Sequence, residues 1–145
     1  MVLGSRDSFD YTGIGDTINL AARLESLCKF YQVPLLFSQE FWEAAQRQGC
    51  EEQVRLVDRA RVKGKAQPTT VYTVSDAARP EFDEAYRKAL AMFRLGNWAT
   101  ALEFLNSALS LRSEDPLCRL YEERCQEFLR QPPPSWDGVM TLKSK

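Results

Sequence analysis

The sequence predicts a mixed α+β fold that is followed by a purely helical segment. Stretches with strand character and helix character alternate as far as Ser75, and the last two strand-like stretches are joined by a short polar loop. That order is typical of α/β and α+β domains. The strands are too few to close a sheet and cover both of its faces, so we expect a partial sheet whose remainder lies upstream. Beyond Ser75 the periodicity is helical until Gln131.

The composition is that of an ordinary globular protein. Of the 145 residues 44% are hydrophobic and 27% are charged, and the net charge of -1 gives no argument for a nucleic-acid partner. The lack of histidine excludes His-based acid–base catalysis and His metal ligation. The four cysteines show no CxxC spacing and are expected to be reduced thiols. Without an apolar run of membrane-spanning length or a signal pattern, we expect a cytoplasmic location, with any membrane anchor upstream in a longer parent.

Local signals predict the elements of a first domain, which we assign to residues 1–75. Val33–Phe37 is a short apolar run that predicts a strand, with a proline near its start where a missing N–H costs least. Ser38 is a suitable N-cap for a helix over Gln39–Arg47. The next two stretches are rich in β-branched residues and flank a basic loop, which predicts a β-hairpin over Val54–Val62 and Thr69–Val74.

A second domain, residues 76–131, is predicted to be helical, with segments at Phe82–Leu95, Trp98–Leu111 and Pro116–Arg130. Small residues recur where the first two helices would cross, and they would allow a close antiparallel approach: Ala89, Gly96, Ala101 and Ala108. The pattern resembles one tetratricopeptide repeat followed by the first helix of another. A single repeat cannot bury its own face, so it is expected to dock on the preceding domain, on a protein partner or on further repeats. The alternative is a plain helical bundle without a partner.

A proline-rich tail, residues 132–145, follows the last predicted helix. It contains Trp136, and a tryptophan with no packing role would be unusual. We therefore expect Trp136 to dock back on the helices.

The stretch with the greatest chemical interest is DYTGIGDTINLAARLE, which begins at Asp10. It passes through two glycines into a predicted helix, on which Asn19 and Arg23 are four residues apart and therefore project from one face. An amide and a guanidinium side by side, clear of the apolar stripe of leucines, suit a polyanion such as a nucleotide phosphate. The alternative is that the two residues belong to an ordinary solvated helix face.

Two separated motifs resemble those of a known family. DYTGIGDTINLAARLE is followed by VPLLFS and a helix, and VKGK at residues 62–65 is followed by TTVYTV. The combination is similar to the C-terminal half of a class III adenylate/guanylate cyclase catalytic domain, over about Val2 to Val74. It is specific only as a combination, because VKGK alone is a common basic turn. The resemblance implies a partial ferredoxin-like cyclase sheet.

The resemblance also implies a reaction and the residues that serve it. In that reaction the ribose 3′-hydroxyl of ATP attacks the α-phosphorus, forming 3′,5′-cyclic AMP and releasing pyrophosphate. Asn19 matches the asparagine that orients the ribose, and Arg23 matches the arginine that stabilises the transition state. Lys63 matches the lysine that reaches the terminal phosphates. Thr12 stands at the base-recognition position, where its hydroxyl resembles the subgroup that makes cyclic AMP, so ATP is expected in preference to GTP.

The metal-binding half of the family's site is not matched in this sequence. The resemblance implies Mg²⁺ or Mn²⁺ in the complete cyclase domain, held by two aspartates that lie upstream of everything present here. Asp7 and Asp10 do not stand in their place. We therefore expect that this chain alone binds no metal and is inactive. The family works as head-to-tail dimers with composite sites, so the expected partner is a second copy or an intact cyclase protomer.

Two functions remain open from the sequence. The first is a part of an adenylate cyclase with a helical extension. The second is a non-catalytic interaction or dimerisation module that uses the helices and carries a vestigial cyclase half. The presence of Asn19, Arg23 and Lys63 together favours the first, because drift has no reason to spare all three.

Overall fold

The structure, a computed structural model, describes residues 26–61, 67–75 and 79–141. It divides into two compact units. The sheet unit comprises Met1–Ser75 together with Met140–Lys145, and the helical unit comprises Asp76–Val139. The division after Ser75 falls where the sequence changes from mixed to helical character. The predicted tail is shared between the two units instead of forming a segment of its own.

The sheet unit is built on a four-stranded mixed sheet in the order β1-β3-β2-β4. Its strands are β1 (Phe37–Ser38), β2 (Val54–Arg61), β3 (Thr69–Val74) and β4 (Met140–Thr141). β3 pairs antiparallel with both β1 and β2, whereas β4 lies parallel to β2. Together with the helices, this sheet confirms the predicted α+β class.

The β2–β3 hairpin forms as its β-branched composition predicts. β3 has the predicted bounds, and β2 is described as far as Arg61 because residues 62–66 lie outside the described ranges. The pairing of the two strands is regular except for one shift in register, between Leu56 and Asp58.

The strand predicted at Val33–Phe37 is wrong in extent, because only its last residue, Phe37, pairs in the sheet. The first amide of the stretch instead donates to the Cys28 carbonyl at 3.1 Å and closes the end of the preceding helix. Pro34 has no N–H to offer to a neighbouring strand. The apolar character of the stretch reflects burial, since Leu36 is fully buried without taking part in a strand.

Helix α1 (Gln39–Arg47) begins and ends as predicted. The Oγ of Ser38 accepts a hydrogen bond from the Phe41 amide at 3.1 Å, which satisfies one of the first-turn N–H groups that have no partner within the helix. Gly49 follows with a φ of 94°, a left-handed conformation that glycine adopts without the steric cost of a Cβ.

The helical unit contains α2 (Pro80–Arg94), α3 (Trp98–Leu111) and α4 (Pro116–Arg130), each within two residues of its predicted bounds. α2 packs against α3, and α3 packs against α4. Three of the predicted small residues are buried in this packing: Ala89, Ala101 and Ala108. In the part of the chain that the structure describes, no helix is long and apolar enough to cross a membrane.

Trp136 docks on the helices, as predicted. Its indole Nε1 donates to the Arg94 carbonyl at 3.0 Å, at the end of α2. Its ring makes T-shaped contacts with three other aromatic rings at centroid distances of 5.3 to 6.0 Å, and we call the four residues the aromatic cluster: Phe93, Trp98, Phe128 and Trp136. Gly96 lies beneath it, and a Cβ there would stand 3.4 Å from the indole Cδ1. The tail therefore supplies packing that the three helices lack by themselves.

Replacing Trp136 by alanine is expected to destabilise the helical unit by about 2 to 3 kcal/mol, since it removes several ring contacts and one hydrogen bond. Urea denaturation followed by far-UV circular dichroism measures this change. The matched control is Leu95→Ala, at a leucine that is 74% exposed, and it should cost no more than about 0.5 kcal/mol. Equal losses in the two variants would contradict the packing role of Trp136.

Two of the four cysteines, Cys118 and Cys125, are buried on α4. Burial raises the pKa of the Cys125 thiol from 9.0 to about 12, although the Arg124 guanidinium acts in the opposite direction. The folded protein therefore keeps this thiol neutral where an unfolded chain would ionise it. The resulting stabilisation is fully present below pH 9 and is lost as the pH rises from about 9 towards 12.

The native protein is expected to react slowly with thiol reagents at Cys125, because the thiolate is the reactive form. At pH 8, iodoacetamide should label the half-buried Cys50 at least about 100-fold faster than Cys125, as measured by peptide mass spectrometry. In denaturing urea the two rates should become similar. Equal labelling in the native protein would show that Cys125 is not held in a buried, neutral state.

Candidate nucleotide-binding site

The four residues that the sequence assigns to the site, Thr12, Asn19, Arg23 and Lys63, lie outside the described residues. The structure does describe the segments that flank them. Residues 26–31 are helical and follow Arg23 closely along the chain, and β2 ends two residues before Lys63. These two segments are the described parts of the chain that lie nearest in sequence to Arg23 and Lys63.

The helical residues 26–31 present one apolar face to the core. Leu27 and Tyr31 are one helical turn apart, and both are buried. Tyr31 is only 2% exposed, and its ring is in edge contact with Phe30 at a centroid distance of 4.9 Å. The end of this helix is therefore fixed by a large buried side chain.

β2 carries a β-bulge that turns a carboxylate inwards. Leu56 pairs with Tyr72 and Asp58 pairs with Val71, so β2 has one more residue here than β3. In a regular strand only one of two successive side chains would face the core. At the bulge both are buried: Val57 is fully buried, and Asp58 is 2% exposed.

A buried hydrogen bond joins the helix to the bulge. The hydroxyl of Tyr31 donates to Oδ2 of Asp58 at 2.5 Å, and the Arg59 amide donates to Oδ1 of the same carboxyl at 2.9 Å. Both oxygens of the buried carboxyl are therefore hydrogen-bonded, which offsets the cost of removing it from water. The bond ties the segment that follows Arg23 to the strand that leads to Lys63.

Sequence reasoning did not single out Tyr31 or Asp58. The available signal was an aspartate in the middle of a β-branched run, since aspartate is depleted in strands. Nothing in the local sequence shows a bulge, because its register depends on the pairing of β2 with β3.

The end of β2 that leads to Lys63 is paired on both of its edges. Ala60 lies opposite Thr69 of β3 on one side and opposite Met140 of β4 on the other. A strand with two neighbours is held more firmly than an edge strand, because both of its rows of backbone hydrogen-bonding groups face a partner. The last residues of β2, shortly before Lys63 in the sequence, are therefore held by two neighbouring strands.

The described residues do not fit a metal ion. Within residues 26–61, 67–75 and 79–141, no group of three or more Cys, Asp or Glu side chains is placed to hold one. Asp58 is engaged by Tyr31 and by the backbone. The Mg²⁺ or Mn²⁺ that the family resemblance implies has no ligand set in this part of the chain.

Sequence comparison finds similarity to three curated proteins. The chain is 30% identical over 136 residues to a terminal-differentiation specific adenylate cyclase of Dictyostelium discoideum, which covers 89% of this chain and 6% of that protein. The chain is related to adenylate cyclases. It is 35% identical over 96 residues to the photoactivated adenylate cyclase subunit beta-like protein FB of Euglena gracilis, covering 66% of this chain and 11% of that protein.

A further relative is the photoactivated adenylate cyclase subunit beta of Euglena gracilis, which is 31% identical over 116 residues, 79% of this chain and 13% of that protein. This adenylate cyclase-related chain thus spans between 6% and 13% of the lengths of these relatives. No family model and no solved structure matches it.

The extent of the Dictyostelium alignment decides two points. Because 89% of the 145 residues are aligned, the uncovered remainder is about 16 residues, so the alignment spans Asn19, Arg23 and Lys63. It must also continue well into the helical unit, since Ser75 lies only about half-way along the chain. The relationship to adenylate cyclases therefore includes helices and is not confined to the sheet unit.

Tyr31→Phe is expected to destabilise the sheet unit by about 1 to 3 kcal/mol, because it withdraws a donor from a buried carboxyl. Native-state hydrogen exchange of peptides from β2 and β3 reports on this unit separately from the helical unit. Exchange should accelerate about 5- to 100-fold in the variant. Tyr72→Phe, at a half-buried tyrosine of β3, is the matched control and should leave the rates within about 2-fold. Equal rates in Tyr31→Phe and the wild type would contradict a stabilising role for the bond.

Proposed function

We propose that this chain carries the ribose- and phosphate-holding part of a class III adenylate cyclase site. In the proposed reaction the 3′-oxygen of ATP forms a bond to the α-phosphorus, the bond from that phosphorus to the β-phosphate bridging oxygen breaks, and the products are 3′,5′-cyclic AMP, pyrophosphate and a proton. The observation that carries the proposal is the Dictyostelium adenylate cyclase alignment, which spans Asn19, Arg23 and Lys63.

Each of the three residues suits its proposed role chemically. Arg23 would stabilise the charge that builds up on the oxygens of the α-phosphoryl group, since a guanidinium offers two parallel donors and stays charged at neutral pH. Asn19 would orient the ribose through its amide, whose oxygen can accept from a sugar hydroxyl and whose NH₂ can donate to a sugar oxygen. Lys63 would bind the terminal phosphates through the compact positive charge of its ammonium group.

Thr12 supports ATP as the substrate in preference to GTP. Its hydroxyl both donates and accepts, so it can meet the amino group and a ring nitrogen of adenine. An aspartate at that position would only accept when ionised. We propose adenine as the base on this ground.

The metal ions of the family would be held outside the part of the chain described here, because that part offers no ligand set. When bound, such ions neutralise phosphate charge and activate the attacking hydroxyl. We propose that a head-to-tail partner, a second copy or an intact cyclase protomer, completes the site to which this chain contributes Asn19 and Arg23. On this proposal the isolated chain binds ATP without converting it.

The alternative is an interaction module whose cyclase half is vestigial. The alignment with the Dictyostelium adenylate cyclase runs through both units, which favours a helical unit that is inherited with the cyclase segment. The aromatic cluster also closes one end of the helices with the chain's own tail. Both observations favour the cyclase proposal.

The test measures cyclic AMP production by the whole reading frame that contains these 145 residues, with ATP and either Mg²⁺ or Mn²⁺. We expect Arg23→Ala to lower kcat about 100- to 1000-fold, as expected for loss of one transition-state donor. The matched control is Arg87→Ala, at an exposed arginine of α2, and its kcat should equal that of the wild type. Equal output from the wild type and Arg23→Ala would defeat the assignment of Arg23.

A second measurement tests the isolated chain. It should bind a fluorescent ATP analogue, and Lys63→Ala should weaken that binding about 10-fold, while cyclic AMP stays at background. Metal-dependent cyclic AMP production by the purified 145-residue chain would overturn the proposal that a partner supplies the rest of the site.

A further inference from the structure

We propose that residues 136–141 form a strap, which makes the pairing of β4 with β2 depend on the docking of Trp136 in the helical unit. The strap begins in the helical unit, which ends at Val139, and finishes in the sheet unit, which resumes at Met140. Undocking of Trp136 therefore releases β4. This link between the two units is independent of the proposed cyclase reaction.

The first part of the strap is held at the end of α2. The Trp136 indole Nε1 donates to the Arg94 carbonyl at 3.0 Å, and its ring packs in the aromatic cluster. Gly138 follows with a φ of 85°, and a Cβ at that position would stand 3.3 Å from the same carbonyl oxygen. The amide of Val139, which is 7% exposed, donates to Oδ1 of Asp137 at 3.1 Å and closes a turn. These contacts fix the chain as far as Val139.

The second part of the strap, β4, is a very short strand. Its residues Met140 and Thr141 pair in parallel with Ala60 and Arg61 at the end of β2. Strands in globular proteins usually have at least about three residues, and parallel pairing is slightly less stable per residue than antiparallel pairing. So short a ladder offsets little of the conformational entropy that is lost when the chain is ordered. β4 therefore depends on neighbouring parts of the chain to stay paired.

The docked tryptophan supplies this support. Trp136 precedes Met140 by four residues, so docking of the indole holds β4 at a high effective concentration for pairing. Once the turn at Gly138 is formed, pairing costs only the ordering of β4 itself. A parallel strand also has to arrive through a long connection, and here the chain between β3 and β4 runs through the helical unit. A change at the end of α2 is therefore transmitted to β4 along the chain.

A link of this kind acts equally in both directions. If docking of Trp136 favours the pairing of β4 by some factor, the pairing of β4 favours docking of Trp136 by the same factor. Hydrogen exchange measures the two events separately. The indole N–H of Trp136, which is bonded to the Arg94 carbonyl, reports on docking, and the backbone amides bonded between β2 and β4 report on pairing.

Hydrogen exchange measured by NMR on the 145-residue chain tests the link in the first direction. In Trp136→Ala the amides bonded between β2 and β4 should exchange about 10-fold faster than in the wild type, because the anchor is lost. Gly138→Ala is a milder variant that keeps the tryptophan. Alanine is strained at a φ of 85°, so the same amides should exchange about 3- to 10-fold faster. Gly138→Ala decides the test if Trp136→Ala does not fold.

The matched control is Leu105→Ala, at a fully buried leucine of α3 outside the aromatic cluster. It should destabilise the helical unit at least as much as Trp136→Ala does, because it leaves a cavity in the core. Since it keeps the anchor, exchange of the amides between β2 and β4 should stay within about 2-fold of the wild type. Equal acceleration in Leu105→Ala and Trp136→Ala would overturn the strap, because β4 would then follow the general stability of the helical unit.

The reverse direction is tested with Met140→Pro/Thr141→Pro, which removes both backbone N–H groups of β4 and thereby its pairing. The Trp136 indole N–H should then exchange faster, by a factor similar to that found for β4 in Trp136→Ala. An unchanged indole exchange rate would overturn the link, as would wild-type exchange of the β4 amides in folded Gly138→Ala. Neither result bears on the proposed function, since no cyclase activity is measured.

Discussion

The hydrogen bond between Tyr31 and Asp58 is the constraint on which the organisation of the sheet unit depends. It is buried, it is 2.5 Å long, and it joins a helix end to the centre of a strand. Hydrophobic packing holds helices on sheets without specifying the register closely, since apolar contacts are non-directional. Both oxygens of the buried Asp58 carboxyl accept hydrogen bonds, and such bonds are directional, so they specify how the helix end and the strand lie against each other. The β-bulge in β2, between Leu56 and Asp58, lies at this point.

The helical unit is stabilised mainly by packing of apolar and aromatic side chains. Its three helices pack in sequence, α2 against α3 and α3 against α4. The tail after α4 returns to the end of α2, where Trp136 joins the aromatic cluster and its indole N–H donates to the carbonyl of Arg94. The left-handed Gly96, with a φ of 84°, leaves the space that this ring occupies. A short proline-rich segment therefore supplies part of the packing of the helical unit.

The similarity to adenylate cyclases extends over both units of the chain. An alignment that runs from the region of Asn19 through most of the helical unit shows that the helices are part of what this chain shares with the Dictyostelium adenylate cyclase. The chain spans only 6% of that much longer protein. Reasoning from the two motifs alone placed the resemblance within the first half of the chain, because helices with small residues at their crossings occur in many proteins and carry no signature of a reaction.

The sequence by itself determined the α+β class, the three long helices, the cap of α1 by Ser38, the β2–β3 hairpin and the docking of Trp136. Each of these follows from local propensity or from the strong preference of a side chain for one kind of position. The resemblance of its motifs to class III cyclases also predicts the candidate residues Asn19, Arg23 and Lys63, which lie outside the described residues. The tertiary structure alone decided that Val33–Phe37 contributes only its last residue to the sheet, that β4 pairs with β2, and that Asp58 is buried against Tyr31. These features depend on which strand lies beside which, and no window of sequence contains that information.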